Sequence, residues 1–261
     1  ASVVFHVFSC LLGFIMIYPL LWLVASSFKS NDTMFKNTYS LLPESWGIIK
    51  NYNSGFASTT GYSFGHFFMN SAIVTVIGVV CTIFSFLLAA YAVSRVKFFG
   101  ANFWFGCIIM TMMIPAQVMV VPQYIILKKL HLNDTLLAMI LPWAFGGAFF
   151  VFLIVQYMRG IPKELDEAAM IDGCNKGKAM WHVVIPLMRS SFVQCIFLST
   201  TRCFMVYDLN LSLTKGEPFN QSVLAAMHVY NQAFVYKNYG TGQAEALVPV
   251  SYTHLTLPTI L

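Results

Sequence analysis

Residues 67–93 run for 27 positions without a charged side chain, and that run limits what the chain can fold into more than any other feature. The hydrocarbon core of a bilayer takes about 20 apolar residues per helix, and the run exceeds that length. Similar stretches recur at 3–24, 103–121, 136–156 and 185–206, and a sixth is expected to begin near Ala244. With 58% hydrophobic and 10% charged residues and a mean hydropathy of +0.70, the chain is too apolar for a soluble domain of 261 residues. The reading is an all-α transmembrane bundle. Pro19, Pro115 and Pro142 are expected to kink or interrupt their helices. Ser85, Ala89, Ala90 and Ala92 in the second span and Gly146, Gly147 and Ala148 in the fourth are small enough to let helices approach closely.

The first span lacks a basic stretch ahead of it and is longer than the apolar core of a secretion signal, so it reads as a retained helix. Basic residues set the orientation. The short loop 94–102 carries Arg95 and Lys97, and 157–189 carries Arg159, Lys163, Lys176, Lys178 and Arg189. Both fall on the same side of the bundle, which places them in the cytoplasm. A net charge of +5 without a clustered basic face or a recognisable module gives no support to nucleic-acid binding. Cys10, Cys81, Cys107, Cys195 and Cys203 fall within spans and Cys174 within a loop. None has metal-ligand or redox spacing, so all six read as small apolar side chains. Arg202 lies in the fifth span with Asp208 beyond its end. An ionisable residue at that depth serves either a solute contact or a side chain reaching for the interface.

The most polar segment between two spans is 164–186. Pro162 suits a first helical turn, and Glu164, Asp166 and Glu167 load that turn with the negative charge a helix N-terminus favours. Gly173 permits a sharp turn, after which Met180, Trp181, Val183 and Val184 continue as a second short amphipathic piece into Pro186. The expected helix-turn-helix on the face of a membrane protein is shaped for docking. The string Gly173 to Lys178 faintly suggests a phosphate-binding loop, but three residues separate its glycines, Ala179 follows the lysine, and no buried strand precedes it.

Glu167, Ala168 and Ala169, then three residues to Gly173, then nine to Val183, Ile185 and Pro186, resemble the Glu-Ala-Ala loop of ABC-importer permeases. Valine and isoleucine replace the isoleucine and leucine of the usual pattern, with every spacing kept. The segments Tyr18 to Trp22, Leu88 to Ala92, Met113 to Pro115 and Val121-Pro122 extend the resemblance to the carbohydrate-type permease similar to the smaller maltose-type subunit. The resemblance implies an inner-membrane, multi-pass permease that works with a homologous permease, two ATP-binding subunits and a periplasmic or extracellular solute-binding protein. It further implies that Glu167, Ala168, Ala169, Asp172, Gly173, Trp181, Ile185 and Pro186 couple the chain to the ATPase. On this reading the chain binds no cofactor of its own, because ATP belongs to a partner subunit, and it is not an enzyme.

The C-terminal part departs from that pattern. Tyr207-Asp208, Leu213 to Pro218 and Tyr239 to Ala246 look more like the other permease subunit, either because the lineage mixes features or because two neighbouring genes are joined. Residues 249–261 read like the translation of a transposase-end sequencing adapter, and two prolines, several hydroxyls and a histidine make them a poor spanning helix. The expected organisation is a permease domain over 1–248, with its coupling loop at 157–189, followed by a non-native tail over 249–261. Five spans would then be present and a sixth lost by C-terminal truncation. Two rival classes remain: a secondary transporter or channel would want acidic residues or broken-helix ion sites near the midplane, and the five spans contain no Asp or Glu. A membrane enzyme would want a paired acid and base or a metal set, which neither spans nor loops offer.

Overall fold

The computed structural model describes residues 2–36, 40–57, 61–145, 147–216 and 219–255, with no β-strand among them beyond one isolated bridge between Lys29 and Trp46. In chain order the helices are α1 (Ser2–Ser27), α2 (Ile48–Phe56), α3 (Phe64–Arg95), α4 (Ala101–Thr111), α5 (Ala116–Lys129), α6 (Leu137–Phe145), α7 (Ala148–Gly160) and α8 (Glu164–Ile171). They continue as α9 (Lys176–Ala179), a π-turn (Met180–Val184), α10 (Ile185–Leu187), α11 (Arg189–Phe204), α12 (Asp208–Leu213), α13 (Ala225–Tyr230), a second π-turn (Asn231–Val235) and α14 (Tyr239–Leu255).

Three helical stretches are long and apolar enough to cross a bilayer alone: Val3–Ser27, Phe64–Arg95 and Leu137–Gly160. Two bent helix pairs, α4 with α5 at 101° and Lys176–Leu187 with α11 at 77°, are apolar and long enough only as pairs, each a broken span or a re-entrant loop. Counting each pair as one span gives the five expected. The break in the third falls at Met112 to Pro115, where the proline lacks the N–H a continuing helix would use. Pro19 and Pro142 sit inside α1 and α6 without ending them. The fifth span needs a correction. It does not run straight from 185 to 206: Met188 separates α10 from α11 at the 77° bend, with Ile185 and Pro186 on the loop side of it.

The chain divides into two compact units, the first comprising residues 1–70 with 223–259 and the second residues 71–222. In the first, α14 packs on α1, α2 and α13. Asn51 on α2 donates to the carbonyls of Ser27 and Lys29, both at 2.8 Å, and so satisfies groups that the end of α1 leaves open. Glu245 on α14 is fully buried with its Oε1 3.3 Å from His228 Nε2, and the Phe67 ring stacks on that histidine at 4.3 Å between centroids. The helix where the sixth span is expected, α14, starts at Tyr239, ahead of Ala244; it is not among the stretches apolar enough to cross a bilayer, and a Cβ added at Gly240 would fall 2.5 Å from Asn51 and one at Gly242 3.0 Å from Ala233. Residues 256–261 of the expected tail lie outside the described residues.

In the second unit the core is formed by Phe86, Leu87 and Ala90 of α3, Phe105 of α4, Phe150, Val151, Ile154, Val155 and Met158 of α7, and Cys195 of α11. The fourth span is interrupted between Phe145 and Ala148, leaving carbonyls of the last turn of α6 without partners inside the helix. Thr82 donates to the carbonyl of Trp143 at 3.0 Å and Ser85 to that of Ala144, so hydroxyls of α3 take the place that water would have in a soluble protein. Close approach is real at Gly147, where an added Cβ would fall 2.4 Å from the Phe86 ring.

Candidate coupling loop

The loop between the fourth and fifth spans is a helical hairpin whose turns at Ile161, Gly173 and Asn175 have local causes in the sequence. Ile161, with ψ 124°, ends α7 in extended backbone, and α8 begins two residues after Pro162 with Glu164, Asp166 and Glu167 in its first turn. At the other end Gly173 adopts φ +88°. Its N–H bonds the carbonyl of Met170 at 3.1 Å, and that of Cys174 bonds the carbonyl of Ala169 at 2.9 Å. This pair of bonds is a Schellman cap, which calls for a residue free to take the left-handed conformation. Asn175 then starts α9 by accepting, through Oδ1, the N–H of Lys178 at 2.8 Å. The first π-turn widens the helix just before Pro186, where a proline ring would otherwise press on the carbonyl four residues back.

The two short helices pack through small residues. Ala169, Ala179, Met180 and Val184 are buried, with Val184 and Met188 joining the core of the unit. Glu167, Ala168, Asp172, Trp181 and Pro186 are exposed, and Ile185 is half-buried. Ile171 is 87% and Trp181 53% exposed, and Glu164, Glu167, Asp172 and Lys178 are exposed on the same loop. Of the residues singled out from the sequence, Ala169 thus holds the hairpin together and Gly173 turns it. Glu167, Ala168, Asp172, Trp181 and Pro186 face outward.

Sequence reasoning missed what anchors this hairpin. Arg95, the last residue of α3, has a side chain only 4% exposed, and its Nη2 donates to the carbonyls of Met158 at 2.8 Å and Ile161 at 2.9 Å. Its Nη1 lies 3.1 Å from Oδ2 of Asp166 in α8, an ion pair rather than an aligned hydrogen bond. Tyr91, one turn earlier on α3, donates its hydroxyl to the carbonyl of Lys176 at 3.2 Å. Arg159 lies over the Phe105 ring at 4.7 Å, and Tyr157 donates to Gln194 of α11 at 2.8 Å. In the sequence Arg95 is visible only as one more basic residue of a short loop. Arg202 rests over the Phe149 and Phe150 rings at 5.4 and 5.6 Å, a cation–π arrangement at the start of α7.

Apolar spans, with a capped helical hairpin in the loop between two of them, define a polytopic membrane component. Residues 82–253 match the family of binding-protein-dependent transport system inner membrane components, and the chain belongs to that family. The match includes the hairpin and continues through the C-terminal segment that resembles the other type of permease subunit. The probable ABC transporter permease protein YurM of Bacillus subtilis is 39% identical over 171 residues, covering 65% of this chain and 55% of that protein. The arabinooligosaccharides transport system permease protein AraQ of Halalkalibacterium halodurans is 30% identical over 187 residues, covering 72% of this chain and 66% of its own. The chain thus spans between half and two thirds of these relatives' lengths. The fold is that of a chain in the crystal structure of a bacterial ABC transporter involved in import of the acidic polysaccharide alginate, with a TM-score of 0.82 at 19% identity over 99% of this chain and 94% of that one.

Proposed function

We propose that this chain is a transmembrane permease subunit of an ATP-driven importer of a sugar or sugar derivative, coupled to a separate ATPase through the hairpin 157–189. The observation that carries the reading is the hairpin itself: within the family-matched residues, the Gly173 turn and the buried Ala169 seam leave Ile171 and Trp181 uncovered, with Glu167 and Asp172 exposed on the same loop. An exposed aromatic and an exposed aliphatic anchor among charges have the composition of a protein-docking patch. The carbohydrate class is supported by the name of AraQ. The partners are a homologous permease, two ATP-binding subunits and a solute-binding protein; the chain itself carries out no covalent chemistry and holds no cofactor.

Closure of the ATPase pair on nucleotide would shift the population between inward-open and outward-open bundles, with the hairpin carrying the movement. The test is reconstitution in proteoliposomes with the partner permease, the ATPase and the binding protein, and then uptake of labelled oligosaccharides. Uptake is expected to require internal ATP and the binding protein. Uptake driven by an ion gradient without ATP would overturn the reading in favour of a secondary transporter.

A further inference from the structure

Tyr91 and Arg95 are four residues apart, hence on the same face of α3 at its end. They reach both helices of the hairpin. Tyr91 bonds the first residue of α9, while Arg95 contacts Asp166 in the first turn of α8 and two carbonyls at the end of α7. Met158 O, in the last turn of α7, also accepts the N–H of Ile161 at 3.2 Å, whereas Ile161 lies past the end of the helix, so no continuing turn supplies a donor for its carbonyl. One buried guanidinium therefore joins the end of the second span, the end of the fourth span and the start of the hairpin. A guanidinium has five donors in a fixed planar fork, and bonds from a charged donor are stronger than those between neutral groups.

We infer that Tyr91 and Arg95 are the positioning residues that grip the hairpin, so that displacement of α8 and α9 is passed to the second and fourth spans as movement of one rigid body. This rests on the proposed coupling role of the hairpin. The grip lies in the two bonds that the one nitrogen Nη2 gives to the two carbonyls more than in the pair with Asp166. Asp166 is 22% exposed and its other oxygen, Oδ1, has no hydrogen-bond partner, so its pair with Arg95 is the weaker link.

The experiment measures solute moved per ATP hydrolysed in proteoliposomes of the full complex, alongside the amount of ATPase that co-purifies. Arg95→Ala is expected to lower that ratio by about tenfold or more, the scale of losing one charged hydrogen bond, while the ATPase still co-purifies. Arg95→Lys keeps the charge beside Asp166, but its ammonium ends short of the place of Nη2 between the two carbonyls, and it is expected to restore the ratio only in part. Asp166→Asn is expected to change it by less than about twofold. Tyr91→Phe, which removes one neutral bond, should fall between the last two. An unchanged ratio in Arg95→Ala overturns the inference, and so does full rescue by lysine with Asp166→Asn as damaging as Arg95→Ala, since charge alone would then suffice. If Arg95→Ala fails to insert, the lysine variant decides: a wild-type ratio there reduces Arg95 to a folding residue. Failure of the wild-type complex to couple uptake to ATP would instead defeat the proposed function.

Discussion

Gly173 turns the hairpin at φ +88° with open space where a Cβ would go, so a substitution there meets backbone strain and no clash. A β-branched residue is the least suited to that conformation, and Gly173→Val is expected to cost about 1–3 kcal/mol locally. The strain acts on the Schellman cap, which α8 cannot lose without displacing α9. Gly173→Val should therefore insert normally and lose transport, whereas Gly173→Asn, whose side chain tolerates the left-handed region, should keep most of it. Uptake and membrane level measured together check both. Glu167 lies one residue from Asp166 but makes no ion pair among the described residues and faces outward. If it meets a basic group on the ATPase, Glu167→Lys sets like charges together and should sharply reduce ATPase co-purification, least so at high salt. Equal recovery of the ATPase with wild type and variant would remove Glu167 from the interface.

Among the elements, the interrupted fourth span shows how polar side chains sustain irregular backbone within an apolar bundle. Ser85→Ala deletes the donor to the Ala144 carbonyl and should lower stability by about 1–3 kcal/mol, read as an earlier thermal transition in detergent. Adding Thr82→Val, which strips the neighbouring Trp143 carbonyl, should deepen the loss. The sequence made Ser85 legible only as a small residue, because which carbonyl it would meet depends on a break some sixty residues away in another span. The apolar runs and the Pro115 break were readable since length and a missing N–H are local facts. The bend at Met188 was not, because Pro186 lies inside α10 and the polar Arg189, Ser190 and Ser191 open α11, so no local breaker marks 188 itself. Short helices such as α2 and α12 were equally hidden. Their nine and six residues hold little helix by themselves and depend on packing against α14 and against α5 and α6. In the hairpin the motif made Glu167 to Pro186 visible, while Tyr91 and Arg95 lay outside its spacing.

At the scale of the molecule, the number of crossings decides which loops share a side. The stretch between α1 and α3 precedes the second crossing; with α4 and α5 counted as one crossing, three lie between that stretch and the hairpin, which puts the two on opposite sides of the membrane. The clustered Arg159, Lys163, Lys176, Lys178 and Arg189 favour the cytoplasm for the hairpin, and Arg95 and Lys97 fall on that same side. If α4 with α5 is a re-entrant loop instead of a crossing, that count falls to two and the two segments share a side. Labelling can tell these cases apart, because Leu42 is 78% and Ile171 is 87% exposed and neither lies within a span. With the six native cysteines replaced, Leu42→Cys should react with a membrane-impermeant maleimide in intact cells. Ile171→Cys should react only in inverted vesicles and be shielded there by bound ATPase. Reaction of both from the same side would mean that α4 with α5 turns back without crossing, and would put the hairpin out of reach of any cytoplasmic ATPase.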